Sequence, residues 1–181
     1  MEGLLISYPI VPKDVGFEAR FEVLNIIEEV AKDFPIIRKV SVKLRPGGYK
    51  GLILLDLRPV LSELDDEERK HLEERIINEF ENKMLNEALR YISKFTVLDA
   101  IVNTDINEIA KAVDKLKDKV RGKWRITLKT RKYPIDRKEL IQKAAEPIDR
   151  PVDLENPEYI VLIEIFGELT GIAVLSTKNE D

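Results

Sequence analysis

Residues 159–165 read YIVLIEI, a near-continuous apolar run set between the Asn156-Pro157 turn and Gly167-Glu168. A strand with one wet face alternates polar and apolar side chains. A run like this one reads instead as an interior strand covered on both faces, so a sheet with neighbours on each side must form around it. A second apolar strand, 170–175, follows at once across Gly167-Glu168 and makes a hairpin with it.

The rest of the chain supplies strands and helices in turn. Residues 3–8 are short and apolar. Phe17 to Lys32 has helical spacing, with Phe21, Leu24, Ile27 or Glu28, and Val30 or Ala31 as the apolar face, and Pro35 closes it. Strands are expected at 36–44 and 50–57, joined by Arg45-Pro46-Gly47-Gly48. A helix from Ser62, its N-cap, to about Asn82 carries Asp65, Asp66, Glu67 and Glu68 where the helix dipole favours acids. A short helix, Met84 to Ile92, leads to a strand from Phe95 to Val102. This β-α-β-β-α(α)-β order is close to ferredoxin-like. Beyond it, Thr104 or Asp105 caps a helix carrying Ile106, Ile109, Ala110, Val113, Leu116 and Val120 and ended by Gly122. A strand at 123–129 and a helix at 136–145 complete the pattern, and a charged tail runs from Lys178 to Asp181.

These elements predict a mixed α/β (α+β) protein: an N-terminal ferredoxin-like domain over 1–82, then an α/β domain with a mixed sheet over 83–181. At 181 residues the chain is long enough for two small cores. No apolar run approaches the roughly 18 residues of a membrane-spanning helix. The start, MEGLLISYPIVP, has neither a basic leader nor a small-residue cleavage site, which gives a cytoplasmic expectation.

Cysteine is absent, so disulfides, thiolate zinc sites and cysteine nucleophiles are excluded together. The single histidine, His71, sits in EERKHLEER, where Glu67, Glu68 and Glu74 share its helical face; one histidine without a second strong ligand reads as part of a solvated charged face, so no metal site is expected. RPGGYKG lacks the ending and the strand-to-helix setting of a phosphate loop and reads as a hairpin turn. Asp65-Asp66 are adjacent on a helix and point apart, which suits capping better than paired acid-base chemistry. No catalytic residue and no cofactor are expected, and the chain is read as a non-enzyme.

Charge is segregated. The net charge is -4, but residues 121–150 hold ten Lys or Arg against four Asp or Glu, leaving 20 basic and 30 acidic residues elsewhere. Alternation along 123–129 sends Trp124, Ile126 and Leu128 to a core face and Lys123, Arg125, Thr127 and Lys129 to the other. Arg131 and Lys132 follow in the loop. Arg137 and Lys138 open the next helix, where unpaired backbone amides could help hold a phosphate. Such a strip suits a sugar-phosphate backbone, through Coulomb attraction and counterion release. Trp124 falls in the apolar register and reads as core rather than as a stacking platform.

The order KWRITLKTRK, IDRKELIQKAAEPI, PVDLENPEYIVLIEI and TGIAVLS resembles the second half of a THUMP domain, over roughly residues 84 to 176. In its VDL-x-NP-x-Y turn, Pro157 fixes φ and Asp153 can accept local backbone amides. The resemblance implies a tRNA-binding module without a fused catalytic domain, similar to the stand-alone THUMP proteins that assist N4-acetylcytidine formation by a separate tRNA acetyltransferase. It implies RNA contacts at Lys123, Arg125, Lys129, Arg131, Lys132, Arg137 and Lys138, with Arg121 and Lys143 secondary. The competing reading is a protein-protein module whose basic strip meets an acidic partner. Replacing Arg131, Lys132 and Arg137 together by Glu is expected to weaken tRNA binding without unfolding the protein.

Overall fold

The computed structural model describes residues 1–178; the last three residues of the charged tail, 179–181, lie outside the described residues. The chain divides into two compact units, Met1–Val97 and Leu98–Asp181. Residues 83–97, expected to open the second domain, are in the first unit. Together the units hold two four-stranded sheets and five α-helices, a mixed α/β fold.

In the first unit β1 (Gly3–Ser7), α1 (Gly16–Ala31), β2 (Ser41–Leu44), β3 (Leu52–Asp56), the single turn α2 (Arg58–Leu61), α3 (Asp66–Leu85) and β4 (Lys94–Leu98) follow in order. The sheet order is β2-β3-β1-β4, with β3 antiparallel to both neighbours, as a ferredoxin-like chain requires. Period-two spacing puts Leu4, Ile6 and Tyr8 of the first strand on one face with Ile53 and Leu55 of the third. Ala19, Val23, Ile26, Ile27 and Val30 of α1, and Leu72, Ile76 and Phe80 of α3, close over that face at helical spacing. Phe80 is fully buried, its ring centroid 5.3 Å from that of Phe95. Truncating it to Ala would cost about 3–5 kcal/mol.

Several expected boundaries move, each for a local reason. The N-cap of α3 is Asp65 and not Ser62: Asp65 Oδ1 accepts the Glu68 amide at 2.8 Å while Glu68 Oε1 accepts the Asp65 amide at 3.1 Å. That reciprocal box satisfies two amide donors, whereas the Ser62 hydroxyl donates backwards to the Pro59 carbonyl. At the other end α3 runs on to Leu85 and stops with Glu87 at φ 52, the Ala88 amide reaching back to the Lys83 carbonyl. No helix forms over 86–92; the Glu22 carboxylate instead accepts the amides of Arg90, Tyr91 and Ile92 at 2.7–3.1 Å. Pro35 starts a 3₁₀ turn, Pro35–Lys39, which shortens the second strand to four residues. Phe21, expected in the core, is 66% exposed, because α1 turns Val23, Ile26 and Ile27 inward.

The expected strand at Phe95 to Val102 is two strands in two sheets. It breaks at Asp99, whose carboxylate accepts the Val174 amide and the Lys119 ammonium, each at 2.8 Å. The second unit then holds β5 (Ala100–Asn103), α4 (Ile106–Leu116), β6 (Trp124–Lys129), α5 (Arg137–Ala145), β7 (Tyr159–Phe166) and β8 (Leu169–Ser176). The helix α4 ends at Leu116, and a 3₁₀ turn over Lys117–Lys119 takes the place of its expected last turn. The sheet order is β5-β8-β7-β6, with the β6-β7 pair parallel and the others antiparallel. YIVLIEI is therefore interior, between β6 and β8. Ile109, Ala112 and Val113 of α4 and Leu140 and Ala144 of α5 pack with Trp124, Val161, Ile163, Ile165 and Ile172. Gly171 lies where a Cβ would stand 2.8 Å from the Leu98 side chain, so this close approach needs glycine.

Candidate nucleic-acid interface

The parallel crossover β6-α5-β7 decides where each basic residue goes. Strand β6 has Trp124 in the core, 2% exposed with its indole N–H donating to the Arg150 carbonyl at 3.1 Å, and Ile126 and Leu128 packed beside it. The opposite face of the strand carries Arg125, Thr127 and Lys129, paired in register with Ile160, Leu162 and Glu164 of β7. Asp136 caps α5 by accepting the Glu139 amide at 3.0 Å. One of the amides that could have met a phosphate there is thus taken by a carboxylate of the chain itself.

The structure divides the nine basic candidates between the two ends of β6, on the order of 20 Å apart for a strand of this length. Lys129, Arg131, Lys132, Arg137 and Lys138 gather at its C-terminal end, around the loop that leads into α5. Arg121 and Lys123 stand at its N-terminal end, beside the loop that bears Asp153, Glu155 and Glu158. Arg125 lies between and is committed: one guanidinium N–H donates to the Leu154 carbonyl at 3.0 Å. Lys143, in the last turn of α5, faces Glu139 at 3.8 Å.

At the C-terminal end the cations are not equivalent. Glu164, only 4% exposed, holds the Arg131 guanidinium at 2.9 Å and the Lys129 ammonium at 3.5 Å. A second Arg131 N–H donates to the Ile165 carbonyl at 3.2 Å. A carboxylate buried this deeply needs such partners to remain charged. Arg131 is therefore a strut of the domain, and the triple Glu variant would set a carboxylate against Glu164 and endanger the fold. Lys132, Arg137 and Lys138 are exposed; Lys132 and Lys138 have no ion-pair partner among the described residues, and Arg137 reaches only the Thr130 hydroxyl at 3.5 Å.

Their presentation depends on an unusual turn. The Tyr133 amide donates to the Thr130 carbonyl at 3.0 Å, and both residues between them have positive φ, 48° at Arg131 and 64° at Lys132. Glycine, Asn or Asp ordinarily fill such positions, and each larger side chain there costs about 1–2 kcal/mol. Glu164 and the Ile165 carbonyl anchor the first residue of the turn, and its successor projects into solvent. The strip of charges announces neither feature. A signal for Glu164 does exist in the sequence, since one carboxylate inside an apolar interior strand demands a cation.

The 151–157 loop lies along the open edge of β6: Val152 bridges to Trp124, and the amides of Trp124 and Asp153 bond across. Asp153 Oδ1 accepts the amides of Asn156 at 2.9 Å and Glu155 at 3.1 Å. Those bonds, that of Asn156 foremost, with the charge of Lys123 beside it, hold the Asp153 carboxyl below its ordinary pKa.

A family model described as the THUMP domain matches residues 103–175, which contain every residue of the interface just described. The chain carries a THUMP domain. Over 99% of its length it resembles PH1313 from Pyrococcus horikoshii Ot3, with a TM-score of 0.59 and 19% identity, covering 56% of that chain. It also resembles a 4-thiouridine synthetase crystallised as an RNA complex with bound ATP (TM-score 0.55, 17% identity, 97% of this chain and 41% of that one). For TrmN from Thermus thermophilus the values are 0.50, 14%, 99% and 46%. The chain thus spans about half the length of the solved structures it matches, and at these identities the likeness is one of fold. None of the curated proteins matches it. No helix among the described residues is long and apolar enough to cross a membrane.

Proposed function

We propose that this chain binds tRNA through the C-terminal end of β6 in its THUMP domain and acts, in the cytoplasm, as a non-catalytic adaptor for a separate tRNA-modifying enzyme. The observation that carries this reading is the group Lys132, Arg137 and Lys138, exposed together at a turn whose strain serves no packing need. Strain of that kind concentrates at functional sites. The match to the THUMP family supports RNA as the ligand, and so does the fold shared with a 4-thiouridine synthetase solved as an RNA complex. The finer assignment is to N4-acetylcytidine formation by a separate acetyltransferase; it follows the resemblance of the PVDLENPEYIVLIEI stretch to stand-alone THUMP proteins. Lys123 and Arg121, at the far end of the strand, serve as outlying contacts.

The test is a fluorescence titration of tRNA with the variant Lys132→Glu/Arg137→Glu/Lys138→Glu, which leaves Arg131 and Glu164 in place. Affinity should fall, and the slope of log affinity against log salt should drop by about 0.7–0.9 for each phosphate contact removed. Unchanged affinity in a variant that melts like the parent would reject the site. For the acetylation assignment the measurement is N4-acetylcytidine in tRNA from cells lacking the chain; an unaltered level would reject that part alone.

A further inference from the structure

Two phenylalanines of α1 serve no core. Phe17 is 73% and Phe21 66% exposed, one helical turn apart, with Val11 of the preceding loop 78% exposed. Rings so placed are solvated at a cost that no packing offsets, which marks a surface that meets something else. Their neighbours say what. The Arg45 guanidinium lies over the Phe17 ring at 5.7 Å from its centroid. The Glu22 carboxylate, next in sequence to Phe21, accepts the amides of Arg90 and Tyr91, and the Arg90 guanidinium lies 6.0 Å from the Tyr91 ring centroid. Arg20 sits between the two phenylalanines and has no ion-pair partner among the described residues.

The acids of this surface are already engaged. Asp14 accepts Arg45 at 3.1 Å and the Gly16 amide at 2.9 Å; Glu18 pairs with Lys13 at 3.3 Å; Glu22 is occupied by three backbone amides. What faces outward is an alternation of flat rings and guanidinium groups. A protein partner would be met by apolar area with a mixed rim. Alternating rings and arginines match instead a ligand that repeats a flat π-face and an anion, which is the repeat of an unpaired polynucleotide.

We infer that the face of α1 built from Phe17, Phe21 and Tyr91 with Arg20, Arg45 and Arg90 is a second RNA-binding site, which takes single-stranded nucleotides by stacking their bases between ring and guanidinium. It lies in the ferredoxin-like unit and shares with the proposed THUMP-domain site only the ligand class. Stacking is neutral, so it adds affinity without adding salt dependence.

The experiment uses the full chain and two probes, a mixed-sequence single-stranded RNA of about a dozen nucleotides and a blunt RNA hairpin of similar charge. Phe17→Ala/Phe21→Ala should bind the single strand at least tenfold more weakly than the parent, at about tenfold for each stacked base lost, with its salt slope intact. Hairpin binding should be unaffected. Both rings are exposed, so the variant should melt with the parent. In Phe17→Trp the introduced indole should be quenched when the single strand is added; the native Trp124 is buried and silent. Equal single-strand affinity in the double Ala variant would overturn the inference and leave the face to a protein partner. An unquenched indole in Phe17→Trp under saturating RNA would overturn it as well. If the parent binds single strands but the Lys132/Arg137/Lys138 variant binds tRNA normally, the proposed THUMP-domain site fails and this one stands.

Discussion

Arg131→Ala should cost stability before it costs affinity. The substitution removes the 2.9 Å bond to Glu164 and the 3.2 Å bond to the Ile165 carbonyl. Glu164 then keeps Lys129, whose ammonium is 3.5 Å away and half exposed. Breaking a buried ion pair by removing one partner costs about 3–5 kcal/mol, and because Lys129 remains the lower end applies, about 3 kcal/mol. For a chain of this size a loss of about 3 kcal/mol lowers the thermal midpoint by about 6–12 °C. The assay is urea and thermal unfolding of four proteins: the parent, Arg131→Ala, Glu164→Leu and the double variant. If the pair is coupled as the geometry requires, Arg131→Ala in the Glu164→Leu background should cost only about 1 kcal/mol, the worth of an ordinary hydrogen bond. A midpoint for Arg131→Ala within about 2 °C of the parent, roughly 1 kcal/mol or less, or costs that simply add in the double variant, would refute the strut.

Two further outcomes follow from the same region. Lys132→Gly relieves a side chain held at positive φ and should stabilise the fold by up to about 1 kcal/mol, after the entropy of glycine is set against the strain, while weakening tRNA binding; a variant that is both less stable and unimpaired in binding would contradict the role given to the turn. Asp153 has a lowered pKa, so the support it gives the 153–156 turn is complete above the ordinary aspartate range and drains away as pH falls through its own lower value. The Asn156 amide resonance should therefore titrate below the ordinary value of about 3.9, and a midpoint at or above that value would sink the assignment.

What the sequence makes legible is whatever depends on neighbours along the chain. The alternation over 124–129, the interior character of YIVLIEI, and the Asp105 and Asp136 caps are all local, and the structure places them as expected. Asp65 is also local, but Ser62 competes for the cap and only the reciprocal bond with Glu68 separates them. The break at Asp99 is not local. Residues 95–102 have one strand's pattern, and the cut comes from an amide at Val174 and an ammonium at Lys119, remote in sequence. Phe21 falls outside the core for a related reason: helical spacing names a face but not which face the sheet will cover, and a ridge at 17 and 21 is as regular as the buried one at 19, 23, 26 and 27.

The candidate site shows the same division. A count over 121–150 sees ten cations and treats them as one resource. The fold does not, because parallel register sets Glu164 directly beside Lys129, and a carboxylate from outside the counted window neutralises charge inside it. Arg125 is drawn off by a carbonyl and Lys143 by Glu139, again through contacts that the count cannot see. Charge available to a phosphate is what remains once buried acids and orphan carbonyls have been satisfied. By that measure the effective site shrinks to Lys132, Arg137 and Lys138, three cations at one end of one strand. A footprint that small would hold tRNA with a shallow salt dependence. A steep one, equivalent to about six or more phosphates, would require cations from elsewhere on the chain, and Arg20, Arg45 and Arg90 are where the structure offers them.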